Sequence, residues 1–231
     1  SMGINVMPPN INTSGVDFTP KDNSILFGFS AVKNLGDTAI RKIITSRDED
    51  GEFRFDQPIP ESHILSGHSA LSVVNQKKRR VIGFSSVIFK ETDIYINCMK
   101  SLNEFSAEKG LPNPLYVFVP RAPEAFDGIF KKIEEAGLFV VRRSESFSGD
   151  LQPNTSFDWN NIDVLLGDSF GEMYFYLNLC DHIVVSGGFS HTGAHNIIEQ
   201  LQLQKPITVG PEIWTIKFPA VQAEEAGLLT V

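Results

Sequence analysis

The densest chemistry in this 231-residue chain lies between Ser186 and Glu199, in the run Ser-Gly-Gly-Phe-Ser-His-Thr-Gly-Ala-His-Asn-Ile-Ile-Glu. An apolar segment from His182 leads into it, and apolar periodicity resumes after it. Gly187 and Gly188 carry no side chain, so a backbone there can approach a ligand closely. A helix opening at Ala194 would present N–H groups that lack intrahelical partners and suit a phosphate. His195 and Glu199 would then stand four apart on one helix face, with Glu199 able to accept from sugar hydroxyls. The same residues also suit a plain Gly-rich turn with an N-capping Asn196 and a solvated Glu199.

Two other runs end apolar segments in the same manner. Val119-Pro120-Arg121 puts a guanidinium just past a continuous apolar run, where its fork of donors fits a phosphate or a carbonyl. A surface Arg capping a loop would look the same. Gly167-Asp168-Ser169-Phe170-Gly171-Glu172-Met173 places two glycines around a turn into a helix. N–H groups at that helix start can hold an anion. Glu172 would also be favoured there by the helix dipole alone. His191, His195 and Glu199 lack the HExxH spacing of a zinc site. Ser190 is followed two residues later by Thr192, not by the Gly of a nucleophile elbow. No catalytic residue, metal ligand or cofactor is assigned.

The elements that must position these residues alternate. Strands are expected at Arg80–Ser85, Leu115–Val119, Leu138–Val141, Asp163–Leu166, His182–Ser186 and Pro206–Val209. Helices are expected at Glu91–Glu108, Pro123–Ala136, Gly171–Leu179 and Ala194–Leu203, with a last one ending at Ala226. Such alternation predicts a Rossmann-like α/β domain, a parallel sheet with helices on both faces. Ligands of such sheets bind beyond the carboxyl ends of the strands, near a switch point. Upstream, Phe27, Ala31, Val32 and Leu35 recur at helical spacing, and Ala39, Ile40, Ile43 and Ile44 follow Gly36. This reads as a short helical hairpin turning at Leu35-Gly36. The charged run Arg47 to Glu52, with Pro58 and Pro60 after it, marks a boundary. Residues 1–53 and 54–231 are read as two domains. Lys77-Lys78-Arg79-Arg80 reads as a solvated loop.

At these residues the chain resembles two families. Asp163-Val-Leu-Leu-Gly-Asp-Ser-Phe-Gly-Glu172, Gly187-Gly188 with Gly193-Ala-His-Asn-Ile-Ile-Glu199, Lys205-Pro-Ile-Thr-Val-Gly-Pro211 and Val119-Pro-Arg-Ala-Pro-Glu-Ala-Phe126 are similar to motifs of bacterial 3-deoxy-D-manno-octulosonic acid (Kdo) transferases. Phe53 to Pro58 fits the linker strand before that family's C-terminal domain. The resemblance implies the C-terminal half of a GT-B glycosyltransferase of lipopolysaccharide and lipid A biosynthesis, with CMP-Kdo or CMP as its ligand. It implies donor contacts at Pro120, Arg121, Gly171, Glu172, Met173, Gly188, His195, Asn196, Ile197, Ile198 and Glu199. The family's His, Gly and THEGEE-like stretch are replaced by Ala122, Ala194 and Ser85–Thr92, and the chain stops at Val231 before its last helices. The family's N-terminal domain carries the acceptor site, the catalytic base and the membrane contact, and residues 2–53 do not resemble it.

Residues 2–53, including Ile25-Leu-Phe-Gly-Phe-Ser-Ala-Val-Lys-Asn-Leu-Gly36, instead resemble the helix-hairpin-helix region of bacterial DNA polymerase III α subunits. A chimera or artificial junction follows as an expectation, as does a chain that binds donor but is inactive alone. The alternatives are a DNA-binding hairpin module and a chimera without activity.

Composition narrows these readings. Lys and Arg number 20 against 28 Asp and Glu, and the net charge is −8. Residues 2–53 also hold more acidic than basic side chains, so a nucleic-acid partner is disfavoured. The two cysteines, Cys98 and Cys180, match neither a zinc site nor a CxxC motif and read as buried thiols. With no apolar run of about 20 residues and no leader pattern, the expected location is cytoplasmic.

Overall fold

A computed structural model describes residues 5–21, 24–32, 35–50 and 59–231. The expected linker strand at Phe53–Pro58, Lys33 and part of the charged run lie outside the described residues. The chain divides into two units, Ser1–Pro58 and Ile59–Val231.

In the first unit, β3 (Ser24–Leu26) pairs in parallel with β1 (Asn5–Met7) and antiparallel with β2 (Thr19–Lys21). Helix α1 spans Asp37–Asp50. The second helix expected after Gly36 is therefore present. The first is replaced by β3 and one 3-10 turn at Phe29–Ala31. Leu26, Phe29 and Ile40 are buried. Arg47 ties α1 to the preceding loop by donating Nη1 to the Ser14 carbonyl at 2.8 Å. Ser14 Oγ donates to the Phe27 carbonyl at 2.7 Å.

The second unit is built on seven parallel strands. They are β4 (Val81–Val87), β5 (Leu115–Pro120), β6 (Val140–Arg142), β7 (Val164–Leu166), β8 (His182–Val185), β9 (Ile207–Val209) and β10 (Leu229–Thr230). Their order is β10-β9-β8-β4-β5-β7-β6. The parallel sheet is the one that the alternation predicts. β5 is buried along its whole length, as a strand covered on both faces requires. Leu115, Val117 and Val119 point into one core, and Tyr116 and Phe118 into the other. The first core receives α2 (Glu61–Val74), α6 (Met173–Leu179) and α8 (Lys217–Glu225); the second receives α3 (Thr92–Glu108) and α4 (Phe126–Glu135). Two short helices, α5 (Arg143–Ser146) and α7 (Ile198–Gln202), follow β6 and the long loop after β8.

Helix α2 was not expected. Its buried stripe is made of small residues, Gly67, Ala70 and Val74, which give little apolar periodicity. Gly67 packs against the side chain of Asn178, whose Nδ2 donates to the Ile64 carbonyl at 2.8 Å. Arg79 also departs from expectation: it is 6% exposed, not a solvated loop residue. Cys180 is buried, whereas Cys98 is exposed. No described helix is long and apolar enough to cross a membrane.

Candidate functional site

The chain begins its sheet at β4, adds β5, sends β6 to the edge and fills in β7 between β5 and β6, then crosses to β8 on the other side of β4. The carboxyl ends of β4 and β8 therefore flank the switch point at which such sheets leave a crevice. The three strand-end segments singled out in the sequence follow β5, β7 and β8.

Arg121 leaves the end of β5 with its N–H on the Val87 carbonyl at 2.9 Å. Its Nη1 donates to His195 Nδ1 at 2.8 Å, which joins the β5 and β8 segments. Burial, and then the adjacent Arg121 cation, hold the His195 pKa below its ordinary value. The imidazole is thus neutral at pH 7, with its proton on Nε2. Arg121 itself is exposed.

Pro120, Arg121, Gly171, Glu172 and Met173 line one cavity of about 110 Å³, together with Ser86 and Tyr176. Glu172 is held in place by several donors. Arg143 Nη2 donates to its Oε1 at 2.6 Å, and Ser169 Oγ donates to Oε2. Tyr176 OH reaches the same oxygen at 3.3 Å. The carboxylate is therefore a fixed wall of the cavity whose charge Arg143 largely offsets. Asp168 is similarly engaged, taking the Ser144 N–H at 2.8 Å and the Ser144 hydroxyl at 2.6 Å. Phe170 stands 67% exposed at the cavity rim, its ring 6.0 Å from that of Phe126.

The loop after β8 differs from its expected form. No helix opens at Ala194; α7 begins at Ile198. The backbone of the loop is tied instead to its neighbours: Ala194 N–H to the Glu212 carbonyl at 2.8 Å, and His195 N–H to the Ser186 carbonyl at 3.0 Å. His195 and Glu199 consequently do not share a helical face. Asn196 is exposed, and its Oδ1 accepts from Ile198 N at 3.2 Å. Ile197 is fully buried in the core. Ile198 and Glu199 are half-buried, and burial pushes the Glu199 carboxyl up. Residues 196–199 are not part of the cavity that Arg121 lines. Gly188 packs on Gly210, where a Cβ would meet the Gly210 nitrogen at 2.9 Å. Gly187 adopts φ +98°, and a Cβ there would stand 2.3 Å from the Gly193 carbonyl oxygen. These glycines bring loop and strand ends together.

The largest omission of sequence reasoning is Glu91, which is fully buried beneath this loop. It accepts from Tyr95 OH at 2.5 Å, Ser186 Oγ at 2.7 Å, Gly187 N–H at 2.7 Å and Ser190 Oγ at 2.6 Å. Burial acts to raise its pKa, but the hydroxyl and N–H donors, led by Ser190, outweigh it and hold the carboxyl below its ordinary range. Arg143 was also missed. Both lie outside the Gly-rich motifs, and their role depends on contacts distant in sequence.

Fold and site together define a Rossmann-like α/β domain whose polar residues gather at the carboxyl ends of its strands. Its fold is that of the C-terminal CMP-Kdo binding domain of WaaA from Acinetobacter baumannii, with a TM-score of 0.60, 24% identity and coverage of 74% of this chain and 82% of that one. In sequence, the chain is 34% identical over 177 residues to the 3-deoxy-D-manno-octulosonic acid transferase of Bordetella pertussis. That stretch is 77% of this chain and 38% of the relative, so the chain spans well under half of it. At the other end, a helix-hairpin-helix motif family matches residues 3–56. The DNA polymerase III subunit alpha of Thermus aquaticus is 48% identical over 54 residues, 23% of this chain and 4% of the relative. The chain thus resembles a Kdo transferase C-terminal domain preceded by a polymerase-like segment.

Proposed function

We propose that the second unit binds the nucleotide of a CMP-activated sugar acid, CMP-Kdo, in the crevice around Arg121. The observation that carries this reading is that Arg121 contacts His195 and shares one cavity with Gly171, Glu172 and Met173. Arg121 offers its remaining guanidinium donors to the phosphate or the pyrimidine carbonyl. The neutral His195 adds no second cation. Glu172, held by Arg143, limits how far an anion can enter. Gly188 and Ile197 would serve through the loop's shape, and Asn196, Ile198 and Glu199 would reach the CMP from outside the cavity that Arg121 lines. The polymerase-like segment takes no part, and membrane contact belongs to the N-terminal domain of full-length transferases. In this reading the chain binds the donor in the cytoplasm.

Amide NMR of the chain titrated with CMP tests this. Saturable shifts are expected at Arg121, Gly171–Met173 and His195. Shifts elsewhere, or none, would overturn it. A second reading, a DNA contact through the first unit, is favoured by the family match over residues 3–56. It is opposed by that unit's excess of acidic side chains.

A further inference from the structure

A larger cavity, of about 600 Å³, opens at the other end of the sheet, where Val81 begins β4 and Asp181 precedes β8. Its walls include His68, Lys78, Arg79, Arg80 and Asp181. Three basic residues with permanent charge and one acidic residue thus belong to its lining, in a chain whose net charge is −8. The acid is already engaged, accepting the Val81 N–H at 2.9 Å.

The backbone that carries them is a built turn. Asn75 brackets Arg79, donating Nδ2 to its carbonyl at 2.8 Å and accepting its N–H at 2.9 Å. Lys78 adopts φ +50° inside that bracket, a left-handed conformation that a Lys seldom takes without support. Arg79 is buried, and its guanidinium donates to two neutral acceptors, the carbonyls of Ile162 at 2.7 Å and Trp159 at 3.0 Å. Its Nε is buried without a partner. The acid whose field it feels, Asp163, is hydrogen-bonded instead to the Phe139 N–H. Lys78 and Arg80 are exposed and make no ion pair among the described residues. A strained turn whose backbone is pinned on both sides, and which places Lys78 and Arg80 unpaired at a ligand-sized cavity, exceeds what a solvated loop requires.

We propose that this cavity is a second ligand site, independent of the crevice at Arg121, that binds the phosphate group of a phosphorylated small molecule or of a lipid headgroup. Lys78 and Arg80 close on the phosphate, and the buried Arg79 charge sets a positive potential behind them.

The whole chain is tested with two probes. Inorganic pyrophosphate is titrated and followed by amide NMR, and vesicles of phosphatidylglycerol in phosphatidylcholine are tested by co-sedimentation. Saturable shifts at Lys78, Val81 and Asp181 identify a soluble phosphate ligand. Sedimentation with anionic vesicles, absent with phosphatidylcholine alone, identifies a headgroup. Either result should weaken at least tenfold in the double variant Lys78→Glu/Arg80→Glu and hold in Lys100→Glu, an exposed charge reversal on α3. Because Lys78 and Arg80 are exposed, a well-dispersed spectrum is expected for the variant, and Lys78→Ala/Arg80→Ala supplies a milder form of the same test. Binding of neither probe, binding that survives both double variants, or shifts confined to the Arg121 crevice would overturn the proposal.

Discussion

Replacing Glu91 by Ala should destabilise the second unit by about 2–5 kcal/mol. The carboxylate is fully buried and takes four donors. Without it, the Gly187 N–H and the Tyr95 hydroxyl have no ready acceptor, and each buried unpaired donor costs about 1–3 kcal/mol. The Ser186 and Ser190 hydroxyls can turn. Ser186 Oγ also accepts the Ile88 N–H at 3.2 Å, and Ser190 Oγ lies 3.2 Å from Thr192 Oγ1, so they add less. Both tryptophans, Trp159 and Trp214, belong to the second unit, and their fluorescence reports its unfolding in urea. With a slope of about 2 kcal/mol/M, the midpoint should fall by about 1–2.5 M. The effect should also depend on pH. The depressed pKa of Glu91 makes its contribution complete above its unfolded-state pKa, and that contribution is lost as pH falls through the folded value. Wild type and Glu91→Ala should therefore converge in acid. A midpoint shift no larger than that of the exposed Glu134→Ala would refute the reasoning.

Arg143→Ala leaves the Glu172 carboxylate without its cation in a half-buried setting, and should cost about 2–4 kcal/mol by the same urea assay. Arg143→Lys should recover part of this. The His195 imidazole should titrate below its ordinary value of 6.5 by NMR; Arg121→Ala, which removes the adjacent cation, should move that midpoint upward. Since its folded pKa is depressed, His195 should lower stability as pH falls from 6.5 toward that midpoint. Incubation with CMP-Kdo and a lipid A precursor should yield no Kdo-bearing lipid by mass spectrometry, because transfer needs a base and an aligned acceptor as well as a bound donor.

The sheet was legible because buried parallel strands read as short apolar runs, and Leu115–Val119 is the clearest of them. The three strand ends were legible because glycine and polar residues interrupt those runs at the points where chains leave the sheet. Helix α2 was hidden by its stripe of small residues. The late start of α7 was hidden because the loop's conformation is fixed by hydrogen bonds to Ser186 and Glu212 and not by local propensity. Glu91 accepts from Ser186, Gly187 and Ser190, 95 or more positions away, and Arg143 reaches Glu172 across 29, and no local pattern marks such pairs.

Calorimetric titration of the chain with CMP tests the donor-site assignment most directly, with UMP and duplex DNA as comparisons. CMP should bind at one site, more tightly than UMP, and Arg121→Ala should weaken it by about 1.5–3 kcal/mol, the scale of a charge-assisted hydrogen bond. An absence of CMP binding, an affinity untouched by Arg121→Ala, or duplex DNA binding in place of CMP would contradict it.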